Sequence, residues 1–246
     1  SAILKNETHA IVSKEIMFLA WDKESQVPAG IPHVSICVPH WSSVQLEWVE
    51  RTYGPLRFIP QPDFAKSNRL ARGLLNLDME RNFLAKAALE DKTVTHILFL
   101  DTDCICEMEP NQALRHLLAT NVHVVSGLYR AKKSKGDYPY AMWMRNPKPA
   151  GEQWTFKDGY GAIGQWTGNF IQADVIGLGM CLIKREVFEK VPYPWFVWDS
   201  ETSEDFRFCE KIREFGYKIN VFTEIKLSHV GTMKVKTDGA IHLLDV

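Results

Sequence analysis

No apolar run in this chain approaches the roughly 18 residues needed to cross a membrane. Residues 1–30 also lack the layout of a secretory signal. These absences predict a cytoplasmic protein, with attachment at a membrane surface left open. Net charge is nearly absent as well, with 29 Lys and Arg against 30 Asp and Glu. That balance removes the electrostatic case for nucleic acid as a bulk partner. Cysteine is sparse and odd in number: Cys37, Cys104, Cys106, Cys181 and Cys209 lie mostly inside apolar runs. They read as buried free thiols of a reducing compartment rather than as disulfides. Cys104-x-Cys106 is half a zinc site whose second half is missing. No G-x-x-x-x-G-K-[ST] occurs, which removes P-loop phosphoryl transfer, and Gly177 and Gly179 lack the third glycine of a dinucleotide fingerprint.

What is present is enough apolar material, 46% of 246 residues, for one large α/β domain. The chain is organised around Ile97-Leu98-Phe99-Leu100, a run that fits a strand buried on both faces and then breaks into Asp101-Thr102-Asp103. In an open parallel sheet, ligands bind beyond the carboxyl ends of the strands. Hard divalent cations take carboxylate oxygens and leave positions for phosphate. Asp101 and Asp103 are therefore candidate ligands of Mn²⁺ or Mg²⁺; the same pair could equally cap the following turn.

Around this strand, residues 34–39 read as a strand closed by a Pro-His turn, and residues 16–21 as a strand or a buried helical turn. Ser42 or Ser43 is expected to cap a helix to about Arg51, with the next strand at Leu56-Arg57-Phe58-Ile59. Residues 68–91 carry Leu70, Leu74, Leu77, Leu84 and Ala88 at helical spacing, with Asp78 as a cap between two helices. Pro110 starts a helix bearing Leu114, Leu117 and Leu118, and residues 122–125 form a further strand. Strands alternating with helices predict a parallel or mixed sheet. Between Arg130 and Asn169 regular periodicity gives way to Gly, Pro, Lys, Trp143, Trp154 and Trp166, which suggests hairpins and long loops across the sheet edge. Tryptophan rings there suit the apolar faces of sugars as well as ordinary packing.

Residues 173–183 read as one strand, whose Gly177 and Gly179 would let a ligand approach the backbone. A short helix at residues 185–190 leads to the aromatic turn Pro192-Tyr193-Pro194-Trp195-Phe196. Ser203 is a good N-cap for a helix with Phe206, Cys209, Ile212 and Phe215 at helical spacing, stopped by Gly216. Glu204 and Asp205 fall in its first turn, where the helix dipole favours their ionised form. Residues 218–222 form a last strand, and His229 sits in a loop beyond it.

These pieces in this order resemble the glycosyltransferases of the A fold, especially the family-2-like group that uses nucleotide-diphosphate sugars. The resemblance spans about residues 34–231. It rests on residues 34–39, Arg81-Asn82, Leu100-Asp101-Thr102-Asp103, residues 125–130, Gly177-Leu178-Gly179 before residues 183–188, Ser203-Glu204-Asp205-Phe206 through residue 219, and His229-Val230-Gly231. It implies a Rossmann-like, mostly parallel sheet flanked by helices, in a single domain. Residues 31–130 would bind the nucleotide sugar, and residues 131–246 would form the loop-rich acceptor and catalytic half. Pro39, Arg81, Asn82, Asp101 and Gly179 would face a UDP- or GDP-linked donor. Asp101, Asp103 and His229 would hold the cation. Asp205, with Glu204 beside it, would be the catalytic base, and Trp166 and Trp195 would meet the acceptor, a glycan, lipid-linked or small-molecule hydroxyl. The implied activity is transfer of a sugar, of hexosyltransferase type, with inversion. Two other readings use the same residues. One is a haloacid-dehalogenase-like phosphatase with Asp101 as nucleophile and Ser126 beside it; the other is a non-catalytic nucleotide-sugar-binding protein.

Overall fold

The computed structural model of the protein describes residues 30–40, 44–72, 76–132, 138–230, 233–235 and 241–243. The expected element at residues 16–21, the Ser42 or Ser43 cap, Leu74 and Gly231 lie outside them.

The first strand, β1 (His33–His40), is buried almost end to end. A helical stretch follows as α1 (Leu46–Trp48), a π-helical turn (Val49–Tyr53) and α2 (Gly54–Phe58). The strand expected at residues 56–59 is therefore the end of a helix. Pro55 suits a first helical turn, and a run of four residues with three apolar does not separate strand from helix by period. The second strand comes later, as β2 (Ala65–Arg72), where the sequence suggested a helix. β2 ends the strand order, so its polar Lys66, Asn68 and Arg69 reflect an edge rather than a helical face, and Leu70 is exposed. Helix α3 (Leu77–Glu90) then starts at Asn76, with Asp78 in its first turn rather than between two helices.

The remaining elements are β3 (His96–Leu100), β4 (Cys104–Cys106), α4 (Pro110–Ala119), β5 (Val124–Leu128), β6 (Met142–Arg145), β7 (Tyr160–Ala162), β8 (Phe170–Ala173), β9 (Val175–Ile176), β10 (Met180–Lys184), α5 (Arg185–Lys190), α6 (Glu204–Glu214), β11 (Ile219–His229), β12 (Met233–Val235) and β13 (Ile241–Leu243). The strand expected at residues 122–125 begins two residues later. The single strand expected over residues 173–183 is broken at Gly177–Gly179. The strand expected at residues 218–222 is β11, which runs on to His229 as its final residue instead of leaving it in a loop, and β12 and β13 follow it.

The large sheet has the order β13-β12-β11-β5-β10-β3-β1-β2, with β4 and β8 also pairing with β11. β2, β1 and β3 are parallel, as are β5 and β11, and β10 runs antiparallel between β3 and β5. The sheet is thus mostly parallel, with the carboxyl ends of β1, β3 and β5 on one edge. β3 shows why its apolar run is unbroken. Ile97 and Phe99 enter the core with Leu84, Phe208 and Ile212, from α3 and α6; Leu98 and Leu100 enter the opposite core with Trp48, Leu114 and Leu117. Within the Trp-rich region β6 and β7 pair antiparallel, in keeping with the expected hairpins, and with β9 they make a separate sheet that the sequence did not indicate. All five cysteines are buried and free. Among the described residues no helix is long and apolar enough to cross a membrane.

Candidate functional site

The end of β3 is shaped by its backbone. Asp101 N–H donates to the Gly179 carbonyl at 3.0 Å, and Cys104 N–H donates to the Asp101 carbonyl at 3.2 Å. The chain therefore turns at once from Asp101 to Asp103 and returns as β4. β4 pairs antiparallel with the end of β11, Cys104 opposite His229, and Val230 N–H donates to the Asp103 carbonyl at 2.7 Å. Those pairings bring Asp103 and His229 side by side, with His229 Nε2 3.2 Å from Asp103 Oδ2.

The other ring nitrogen of His229, Nδ1, lies 2.8 Å from the Arg130 carbonyl, to which only an N–H can bond. In the neutral ring Nε2 then carries the lone pair and faces a carboxylate oxygen, an arrangement that a cation can bridge. Ligand atoms of Asp103, Cys104 and His229 all lie within 4.8 Å of one another. Burial pushes the Cys104 thiol well above its ordinary range, so it stays protonated and donates poorly to a metal. Burial would raise the Asp103 carboxyl too, but His229, when its ring is protonated and Nε2–H donates to Oδ2, and the Lys132 ammonium hold it well below the usual carboxylate range. The carboxylate oxygen suits Mn²⁺ or Mg²⁺, and the imidazole, a ligand of softer transition ions, favours Mn²⁺ of the two. The donor set fits the cation the sequence implied, through Asp103 and His229.

Asp101 is placed differently. Its Oδ1 accepts from Arg81 Nη2 at 2.8 Å, and Arg81 Nε donates to Glu204 Oε1 at 3.2 Å. Arg81, expected to face the donor, is buried, and it ties the tip of β3 to the start of α6. A cavity of about 570 Å³ opens beside this tip, lined by Pro39, Leu77, Glu80, Asp101, Asp103 and Trp198 among others. Pro39, Asp101 and Asp103 thus share one cavity.

No protein-family model matches this sequence, and no curated protein matches it. Solved structures do. The crystal structure of A197 from STIV aligns with a TM-score of 0.60 at 18% identity, over 88% of this chain and 95% of that one. The crystal structure of GalNAc-T7 with UDP, GalNAc and Mn²⁺, a glycosyltransferase of the A fold, aligns with a TM-score of 0.53 at 13% identity. That alignment covers 82% of this chain and 44% of the longer one. The likeness is one of fold. It agrees with the mostly parallel, helix-flanked sheet expected from the sequence.

Several expected site residues have internal duties instead. Asn82 accepts from the Trp195 and Phe196 N–H groups at 2.9 and 3.1 Å and donates to the Phe196 carbonyl at 2.6 Å; it clamps a loop from a buried position. Trp195 is buried, with its indole N–H shared between the Phe188 and Val191 carbonyls, so no ring face is left for an acceptor. Trp166 is half-buried, edge-on to Tyr140. Gly179 is buried, and a Cβ there would meet Cys104 Sγ at 2.5 Å; the space beside it belongs to the core, not to a ligand. Ser126 is buried and donates to the Gly127 and Met180 carbonyls, away from the role the phosphatase reading gives it.

At α6, Ser203 occupies the N-cap position, but its hydroxyl bonds the Asp205 carboxylate instead of a backbone N–H. Burial outweighs the helix dipole here. It raises the Asp205 carboxyl above the ordinary value and pushes Glu204 up to about 7, although Arg81 opposes both. Asp205 is consequently a stronger base than its first-turn position suggested. Glu204 is buried behind Arg81, whereas Asp205 keeps partial exposure. Sequence reasoning missed Trp198, Glu80 and Lys132. Only Trp198 carried a signal, as an aromatic just beyond the Pro-rich turn.

Proposed function

We propose that this protein is a metal-dependent glycosyltransferase, moving a sugar from a UDP- or GDP-linked donor to an acceptor hydroxyl with inversion. The observation that carries this reading is the meeting of Asp103 and His229, 126 positions apart, at 3.2 Å, where Asp103 lines a cavity together with Asp101 and Pro39. The fold-level likeness to a structure containing UDP and Mn²⁺ supports the donor class and the cation. In this reading residues 31–130 bind the donor and residues 131–246 bind the acceptor.

Asp103 and His229 would hold a divalent ion, which when bound would offset the negative charge that the diphosphate gains as the glycosidic bond breaks. The chain's own residues do the rest. Arg81 fixes the Asp101 carboxylate toward the cavity. Asp205 takes the proton of the acceptor hydroxyl while that oxygen bonds to the anomeric carbon, and the electron pair of the broken C–O bond leaves on the diphosphate. Trp198, exposed at the cavity wall, offers a ring face to a sugar or base.

Calorimetric titration with UDP and GDP, with and without Mn²⁺, tests the donor half. Asp103→Asn is expected to abolish metal-dependent binding, and His229→Ala to weaken it; parent-like titrations in both would reject the site. Asp205→Asn should bind donor and metal normally yet turn over roughly 10² to 10⁴-fold more slowly. Product NMR retaining the donor's anomeric configuration would reject inversion by Asp205.

A further inference from the structure

The acceptor atoms that suit a divalent ion already have a cation beside them. Lys132 Nζ lies 2.8 Å from Asp103 Oδ2, the same oxygen that faces His229, and it also donates to the Val230 carbonyl. Its backbone is held for this contact: Ala131 N–H donates to the Pro139 carbonyl at 2.8 Å, and Arg130 bridges to Tyr140. We propose that Lys132 is an internal cation that competes with the divalent ion for Asp103, and must leave that carboxylate before the ion can bind.

This rests on the metal reading of Asp103 and His229. An ammonium seeks the same partners as a hard metal ion, carboxylate and carbonyl oxygens. Both are present here, one on β3's turn and one just past β11. Asp103 Oδ2 cannot serve a lysine, a histidine and a metal together without placing two positive charges in contact. Lysine suits a temporary occupant, because its flexible stem lets a strongly hydrated charge withdraw to water, and about a third of the Lys132 side chain is already exposed. Asp103 is thereby neutralised when no metal is bound, and affinity for the metal alone is weaker than its donor set would otherwise allow.

The test is Mn²⁺ titration without nucleotide, followed by electron paramagnetic resonance of the free ion, on the parent, Lys132→Met, Lys132→Arg and Asp103→Asn. Loss of one hydrogen-bonded charge should tighten Mn²⁺ binding in Lys132→Met by roughly tenfold. Lys132→Arg keeps the charge and should stay close to the parent. Circular dichroism checks that each variant is folded. Unchanged or weaker binding in Lys132→Met overturns the competition, and so does equal tightening in Lys132→Arg, since charge would then not be the cause. If neither parent nor Lys132→Met binds Mn²⁺, the metal reading itself falls and takes this proposal with it, a result distinct from equal finite affinities.

Discussion

Arg81 is the residue on which the acidic groups of the site depend. Its guanidinium is buried, reaches Asp101 and Glu204, and lies over the Phe99 ring at 5.3 Å. One positive charge faces Asp101, Glu204 and the nearby Asp205, so full ionisation of all the carboxylates is opposed. Glu204, the most buried of them, bears the consequence. Burial lifts it from the ordinary 4.5 to about 7. Between those values the folded protein keeps a proton that the unfolded chain has released. The associated stability is fully present below about pH 4.5 and is lost as pH rises toward 7. Urea unfolding near pH 5 and near pH 7.5 should show the parent weakening by on the order of 1–3 kcal/mol. Glu204→Gln cannot ionise and should show a clearly smaller drop. Parallel pH dependence in the two proteins would mean that Glu204 is charged throughout.

At the level of elements, the break between β9 and β10 is a packing device. A Cβ on Gly177 would lie 2.0 Å from the Tyr129 hydroxyl and 2.9 Å from its Cζ. That hydroxyl accepts from Gly179 N–H at 3.2 Å, and the Gly179 carbonyl in turn holds the Asp101 N–H. The glycines therefore admit a tyrosine that braces the turn carrying the acidic tip. Gly177→Ala should destabilise the protein by about 1–3 kcal/mol through overpacking. Adding Tyr129→Phe should recover part of the loss, because the nearest clashing atom is removed. A double-mutant cycle in guanidinium chloride measures that recovery; strictly additive losses would mean that the clash lies elsewhere.

At the level of the whole molecule, the candidate metal site is a closure point. Asp103 follows β3 and His229 ends β11, with β10 and β5 between those strands in the sheet. Ligands contributed from such distant segments come together only in the folded state, so binding is coupled to global stability. At about 100 times its dissociation constant, Mn²⁺ should stabilise the protein by about 2.7 kcal/mol. For a chain of this size that corresponds to a rise of several degrees in Tm. Differential scanning calorimetry with added Mn²⁺, and again after chelation, should show the rise and its reversal. Asp103→Asn should show neither.

Periodicity in the chain was enough to read β1, β3, α4, α5 and α6, because their side chains are selected by burial on the faces they present. The four apolar residues of β3 fill two cores, and the carboxylates after them mark where the strand leaves the interior. The edge strand β2 escaped that reading because a polar edge looks like a polar helix face. So did α2, which is too short for period to separate it from a strand. Side-chain partners escaped for a different reason. Whether Arg81 faces water or Asp101, whether Asn82 and Trp195 meet a ligand or each other's loop, and whether Lys132 is free or seated on Asp103 depend on contacts between segments tens of residues apart. Local pattern records how much of a residue is buried, whereas the path of the chain decides which group it is buried against.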